Sequence, residues 1–303
     1  MTALVAFVGA TGGTETTRVA IETAATLARD GRRVVVVDTN YATQPLARYV
    51  TGRIDTDLTA VCADGTDTAA ATYELAGPLS SGGGDRRADT TPELAGDDSD
   101  GGRSADIDGG RPVDATDSAD EWDVPGSVVA VPARAPFERL VRAKTTDAAR
   151  RLGAVCADLR ERADHVLLSV PPVAANQHVA AVEAVDRVVA VAPGTDRGAD
   201  GLRRLRDRLA DLDTATDAVA ATGTERDADA TTGDGLAAAD ATLPDTGRPP
   251  TATPAALGDD ESAAATVAAV ETLLDVDTGV TVDTDGALDG VRRRLSAVGG
   301  RGE

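Results

Sequence analysis

The 303-residue sequence predicts a doubly wound α/β fold: a mostly parallel sheet with helices on both faces and two disordered acidic insertions. Three observations carry this. Short continuous apolar runs of strand length alternate with segments of helical spacing, the pattern of a parallel sheet buried on both sides. The first run stops at a glycine-rich turn and is followed by a helix and a second apolar run, which together make a βαβ unit. Two long stretches then collapse into Gly, Asp, Ser and Thr, with too little apolar surface to offset the entropy of ordering.

The elements follow in order. Ala3 to Gly9 (ALVAFVG) reads as a buried strand ended by glycine. Thr11 to Arg18 is a Gly/Thr-rich turn, and Val19 to Arg29 has the Ala/Leu spacing of a helix closed by Asp30-Gly31. Arg33 to Asp38 (RVVVVD) is a second buried strand. After the first acidic stretch, Ser127 to Pro132 is a strand and Pro136 to Arg162 a long helix with Leu140, Leu152, Val155 and Leu159 on its inner face. His165 to Val170 is a strand stopped by Pro171-Pro172, His178 to Ala184 a short helix, and Asp186 to Pro193 a strand. Ala199 to Leu212 (helix), Asp217 to Thr222 (strand) and Ala263 to Leu274 (helix) complete the body.

The chain carries a net charge of −21, with Lys144 as its single lysine. Residues 64–123 hold 16 acidic residues against 4 arginines, a net of −12, and residues 223–262 hold 9 against 2, a net of −7. The organisation expected is therefore a first part of the folded domain (1–63), an acidic insertion (64–123), the rest of the domain (124–222), a second acidic segment (223–262) and a C-terminal helix and tail (263–303). Acidic, lysine-poor usage suits a protein working in very high salt, and it equally suits a GC-rich genome. A strong negative field argues against nucleic-acid binding by the folded body. Cys62 and Cys156 stand in no metal-ligand or C-x-x-C spacing and read as reduced, small apolar residues. With two scattered histidines, His165 and His178, a metal cluster is not expected. No signal peptide and no apolar run of membrane-spanning length is visible, which predicts a cytoplasmic protein.

The glycine turn is the chemical feature of the N-terminal part. A turn of this type between a buried strand and a helix makes a phosphate cradle, because glycines let backbone N–H groups approach an anion and the helix N-terminus adds partial positive charge. It reads Gly9-Ala10-Thr11-Gly12-Gly13-Thr14-Glu15-Thr16-Thr17-Arg18. This resembles the deviant Walker A loop of the MinD/ParA family of P-loop NTPases, K-G-G-x-G-K-T-T. With the paired glycines on Gly12 and Gly13, Thr11 falls at the signature lysine, Glu15 at the third glycine, Thr16 at the phosphate-binding lysine and Thr17 at the hydroxyl that holds Mg²⁺. Both lysines are therefore missing, and Glu15 brings a carboxylate toward the phosphates. Losing that charge should cost several orders of magnitude in phosphoryl transfer.

Other marks of the same resemblance follow. Asp38, ending the second strand, falls where the family's Asp positions the attacking water, with Asn40 and the segment Gln44 to Tyr49 after it. Asp164 to Pro172 (DHVLLSVPP) resembles the Walker B stretch, with Ser169 in place of the Mg²⁺-shell Asp and Asn176 and Gln177 close behind. Asp186 to Pro193 and Leu243-Pro244 match later landmarks, while the Asn that reads adenine is replaced around Ala221-Thr222-Gly223.

The resemblance implies ATP and Mg²⁺ at residues Thr11 to Arg18, a homodimer and a protein partner. The departures imply a pseudo-ATPase with a regulatory or scaffolding role. Three alternatives stay open: an active ATPase using Arg18 and Asp38, a nicotinamide-binding Rossmann protein reading Gly9-x-x-Gly12 and Asp38, and an interaction protein whose acidic segments bind cationic partners. At the C-terminus, Leu288, Val291, Leu295 and Val298 recur at helical spacing beside Arg292, Arg293 and Arg294. Packing on the body or on a partner is expected there ahead of contact with a membrane, since the apolar face is narrow and lacks an aromatic anchor.

Overall fold

Side chains along the central strands are buried alternately into two apolar clusters, one on each face of the sheet. In the strand Ala3–Gly9 (β1), Leu4, Ala6 and Val8 join one apolar cluster, while Val5 and Phe7 join another on the opposite face. The period of two puts successive residues on opposite faces of a pleated strand, and both faces here are dry. The computed structural model describes residues 3–13, 15–77, 122–223, 239–245, 249 and 252–282.

The strands are β1, β2 (Arg33–Asp38), β3 (Tyr73–Gly77), β4 (Trp122–Asp123), β5 (Ser127–Val131), β6 (His165–Val170), β7 (Arg187–Pro193), β8 (Ala218–Thr222) and β9 (Ala241–Leu243). They form one nine-stranded sheet in the order β4-β3-β5-β2-β6-β1-β7-β8-β9. Every pairing is parallel except β3 with β5. The helices are α1 (Thr16–Arg29), α2 (Leu58–Asp64), α3 (Phe137–Ala143), α4 (Thr146–Arg162), α5 (Asn176–Glu183), α6 (Asp196–Ala210) and α7 (Glu261–Leu274). Buried residues of α1 and α7, such as Ile21, Leu27, Val270 and Leu273, share a cluster with Val5, Phe7, Val34, Val36 and Leu167. Residues of α2, α4, α5 and α6, such as Leu58, Leu152, Val182 and Leu205, pack with Leu4, Val35, Val37, Val166 and Leu168. The sheet is doubly wound, as the sequence predicts.

The nicotinamide-type Rossmann alternative fails on topology. In that fold β1 and β2 are neighbours, with the ligand crevice beside β1 and β4. Here β6 lies between β1 and β2, pairing with both.

Several boundaries differ from expectation for local reasons. The first helix begins at Thr16, so Thr16, Thr17 and Arg18 belong to its first turn and not to the loop. The expected helix over 136–162 is two helices, because the Thr145 hydroxyl accepts from the Ala148 N–H at 3.3 Å and starts α4 with its own cap. Cap side chains also start α2 (Asp57), α6 (Thr195) and α7 (Asp260).

Ordered elements reach into both acidic segments. Residues 64–77 finish α2 and add a 3₁₀ turn (Thr68–Ala71) and β3, and β4 begins at Trp122. The second segment supplies β9 and a 3₁₀ turn at Ala255–Leu257. Ala71, Ala76, Leu243, Ala255 and Ala256 are buried apolar side chains within these segments that net-charge counting overlooks. The remainder of both segments, 78–121, 224–238, 246–248 and 250–251, and the tail residues Leu288 to Val298 lie outside the described residues. No helix among the described residues is long and apolar enough to cross a membrane.

Candidate functional site

The turn after β1 is held from both sides. The Ala10 N–H donates to Val191 O at 2.8 Å, tying its start to β7. Gly13 has φ +81°, a conformation that favours glycine, so the second glycine of the pair is required by the backbone. Helix α6 packs so closely that a Cβ on Gly201 would lie 2.4 Å from Thr11 Cγ2 and 2.9 Å from Ala10 O. That glycine, eight positions after the Asp186 to Pro193 landmark and inside the expected Ala199 to Leu212 helix, is part of the turn's support; nothing in its own sequence context marks it. Thr14 lies outside the described residues.

Helix α1 then begins at Thr16 with Glu15 as N-cap and no side-chain cap. Among the described residues, the N–H groups of Gly12, Gly13, Glu15, Thr16 and Thr17 find no acceptor, and the first ladder bond outside the regular helix is Val19 N–H to Glu15 O at 2.9 Å. Uncapped N–H groups at a helix N-terminus carry the positive end of the backbone dipoles.

A cleft of ≈ 430 Å³ opens over this turn. Gly12, Gly13, Glu15, Thr16, Thr17 and Arg18 line it, so the structure brings these sequence-predicted residues to one place. Thr11 does not line the cleft and lies against Gly201 of α6. The opposite walls hold Asn40, Arg48, Tyr49, Pro171 and Pro254, together with Glu22 from α1. Arg48, Tyr49 and Glu22 were not singled out from sequence. The segment Gln44 to Tyr49 was noted only as a continuation of the β2 motif, and a helical Glu on an otherwise apolar stripe was the one signal for Glu22.

Glu22 is 5% exposed and accepts from the Ala255 and Ala256 N–H groups, each at 3.0 Å. Arg29, two turns further along α1, donates to Ala256 O at 2.8 Å and Gly258 O at 2.9 Å. These bonds clamp the 3₁₀ turn Ala255–Leu257 onto α1 and fix one rim of the cleft.

Three hydroxyls meet at its floor. Thr17 Oγ1 and Ser169 Oγ are 2.8 Å apart, and Ser169 Oγ donates to Thr16 Oγ1 at 3.2 Å. All three residues are buried. Asp38 is aligned with Ser169 across the β2–β6 ladder and is fully buried. Its two oxygens accept from Asn40 N–H (2.9 Å) and Leu46 N–H (3.1 Å). Burial pushes its pKa up to about 7, against the two amide bonds, which pull it down. The carboxyl thus holds the loop after β2 in place and is only part-ionised near neutrality.

Arg18 does not stand free. Its Nη1 pairs with Glu15 Oε2 at 2.8 Å and its Nη2 donates to Pro244 O. This pair offsets the repulsion expected from Glu15, and it also occupies the arginine proposed as a lysine substitute. Asn176 donates to Lys144 O at 2.9 Å and Gln177 is buried against the His178 ring, so neither lines the cleft. His178 is held down to about 4, chiefly by burial, and stays neutral. Both cysteines are free and buried, and burial pushes their thiols up to about 11 and 12.

The resemblance implies Mg²⁺ at Thr17. Magnesium is usually held through one or two carboxylates plus substrate phosphates. Here the hydroxyls of Thr17, Ser169 and Thr16 are bonded to one another, and the neighbouring carboxyl is desolvated and engaged by two amides. Among the described residues no cluster of three His, Cys, Asp or Glu side chains could hold a metal. This donor set does not fit a tightly held Mg²⁺.

No family model and no curated protein matches the chain. Solved structures do. MinD from Pyrococcus horikoshii, in complex with Mg-ADP, is similar with a TM-score of 0.63 at 16% identity, over 89% of this chain and 95% of that one. The cell-division ATPase MinD from Pyrococcus furiosus gives 0.66 at 15%, over 91% and 100%. MinD in the MinC:MinD complex from Aquifex aeolicus gives 0.60 at 13%, over 91% and 97%. The chain has the MinD/ParA-type P-loop NTPase fold.

Proposed function

We propose that this protein binds a nucleotide in the cleft over its glycine turn and acts as a regulatory or scaffolding component with little or no ATP hydrolysis. One observation carries the reading. The turn presents uncapped amides of Gly12, Gly13, Glu15, Thr16 and Thr17 to a cleft large enough for a ligand, while the positions that drive hydrolysis in the resembling family hold Thr11, Thr16 and Ser169. An anion cradle is kept and the charge for transition-state stabilisation is not. Asp38 keeps the place of a water-positioning carboxylate, but its oxygens serve the backbone of the following loop.

Output then comes from nucleotide-dependent association. The fold neighbours include a MinD solved with MinC, which supports a protein partner for this chain; a homodimer is what the sequence resemblance implies. The test is equilibrium binding of ATP and ADP to the purified full chain in high salt, alongside a phosphate-release assay. Nucleotide binding without turnover is the expected result. Turnover at rates typical of ParA-type ATPases, abolished by Thr17→Ala, would overturn the pseudo-ATPase reading, and absence of any nucleotide binding would overturn the whole of it.

A further inference from the structure

We infer that Arg48 supplies the counter-charge for the ligand's phosphates, and that the cleft takes a nucleoside di- or triphosphate without requiring Mg²⁺. The inference rests on the nucleotide reading above and assigns its charge chemistry. Among the described residues four charged side chains line the cleft: Glu15, Arg18, Glu22 and Arg48. Glu15 and Arg18 neutralise each other at 2.8 Å. Glu22 is buried and engaged by two backbone N–H groups. Lys144, the sole lysine, does not line the cleft. Arg48 is exposed and forms no hydrogen bond or ion pair with any described residue. Among the described residues it is the cation left for an anion lodged against the uncapped amides of Gly12, Gly13, Thr16 and Thr17.

Its backbone is also pre-positioned. Arg48 ends the 3₁₀ turn Pro45–Arg48. That turn begins after Gln44, which is in the left-handed region at φ 51° and donates from Nε2 to Tyr41 O (3.3 Å) and Ala135 O (3.2 Å). Asp38 holds the turn from below through the Leu46 N–H. A guanidinium carried on a fixed turn loses less freedom on binding than one on a mobile loop, and its planar fork suits two phosphate oxygens. The metal side of the site points the same way. Three neutral hydroxyls satisfied by one another offer a dication no charge, so a cation from the chain must do the neutralising.

The experiment is calorimetric titration of the full chain with ADP and with adenosine, each in Mg²⁺ and in EDTA, for the wild type, Arg48→Ala and Arg48→Lys. Wild-type affinity for ADP should differ by less than about threefold between Mg²⁺ and EDTA. Loss of a charge-assisted bond predicts that Arg48→Ala weakens ADP about tenfold or more and that lysine restores part of this. Adenosine should be indifferent to residue 48. If ADP binds but Arg48→Ala leaves its affinity unchanged, or if EDTA abolishes binding, this inference fails while the nucleotide reading stands. If the wild type binds no nucleotide, both fall. Arg48 is exposed, so the variants should fold.

Discussion

Thr17 Oγ1 and Ser169 Oγ lie 2.8 Å apart, joining the first turn of α1 directly to the end of β6. Residue 152 positions later in the chain thereby completes what the glycine turn begins. The sequence resemblance implies that these two positions face a cation. Here they face each other, so the helix N-terminus and the central strand are coupled by a neutral bond.

That bond can be tested as a structural element. Ser169→Ala should remove the acceptor of Thr17 and the donor to Thr16, costing about 1–3 kcal/mol for buried hydroxyls left without partners. A urea midpoint shifted down with an unchanged slope is the expected reading. An unchanged midpoint would mean that the hydroxyl cluster contributes nothing to stability.

Asp38 predicts a specific pH dependence. Its pKa is raised by burial to about 7, above the unfolded value near 3.9. The folded state therefore holds the proton more tightly, and this contribution is fully present below about pH 4 and lost as pH rises to about 7. A shift of this size corresponds to about 4 kcal/mol at the upper limit. Asp38→Asn should lose one amide acceptor at all pH values but no longer lose stability across pH 4–7. The difference between wild-type and variant urea midpoints, followed over that range, should change in the variant's favour; a constant difference would contradict it.

Glu22 should matter more than an acidic residue on a helix ordinarily does. Replacing it with Ala leaves the Ala255 and Ala256 N–H groups without their acceptor. A cost of about 2–3 kcal/mol is expected, with hydrogen exchange rising first at 255–258. Uniformly retained protection there would show that Arg29 and apolar packing hold the segment alone.

Gly201→Ala should disturb the glycine turn from a distance in sequence. Its Cβ would meet Thr11 Cγ2 at 2.4 Å and Ala10 backbone oxygen at 2.9 Å, so the turn must shift or α6 must move. A stability loss of about 1–3 kcal/mol is expected, together with weaker ADP binding. By contrast Phe137→Ser, at an 80%-exposed position on α3, should change stability by no more than about 0.5 kcal/mol. These two variants calibrate each other in one denaturation series.

The amino-acid sequence determined the fold class and the place of the site. ALVAFVG and the VVVV within RVVVVD are continuous apolar runs of strand length, the pattern of strands covered on both faces, and the glycines after the first strand mark where an anion can approach backbone. Local sequence also gave Asp38, Ser169 and the missing lysines, because each sits at a strand end or turn whose position follows from its own neighbours. What only the tertiary structure decided is which charges remain available. Arg18 looked free until Pro244, 226 residues away, and Glu15 were seen to occupy it. Arg48 emerged as the unpaired cation because its cleft neighbours are themselves engaged, and Gly201 mattered because α6 folds back onto Thr11. Pairing, burial and close approach depend on segments far apart in the chain, and a pattern read over a few residues at a time carries no record of them.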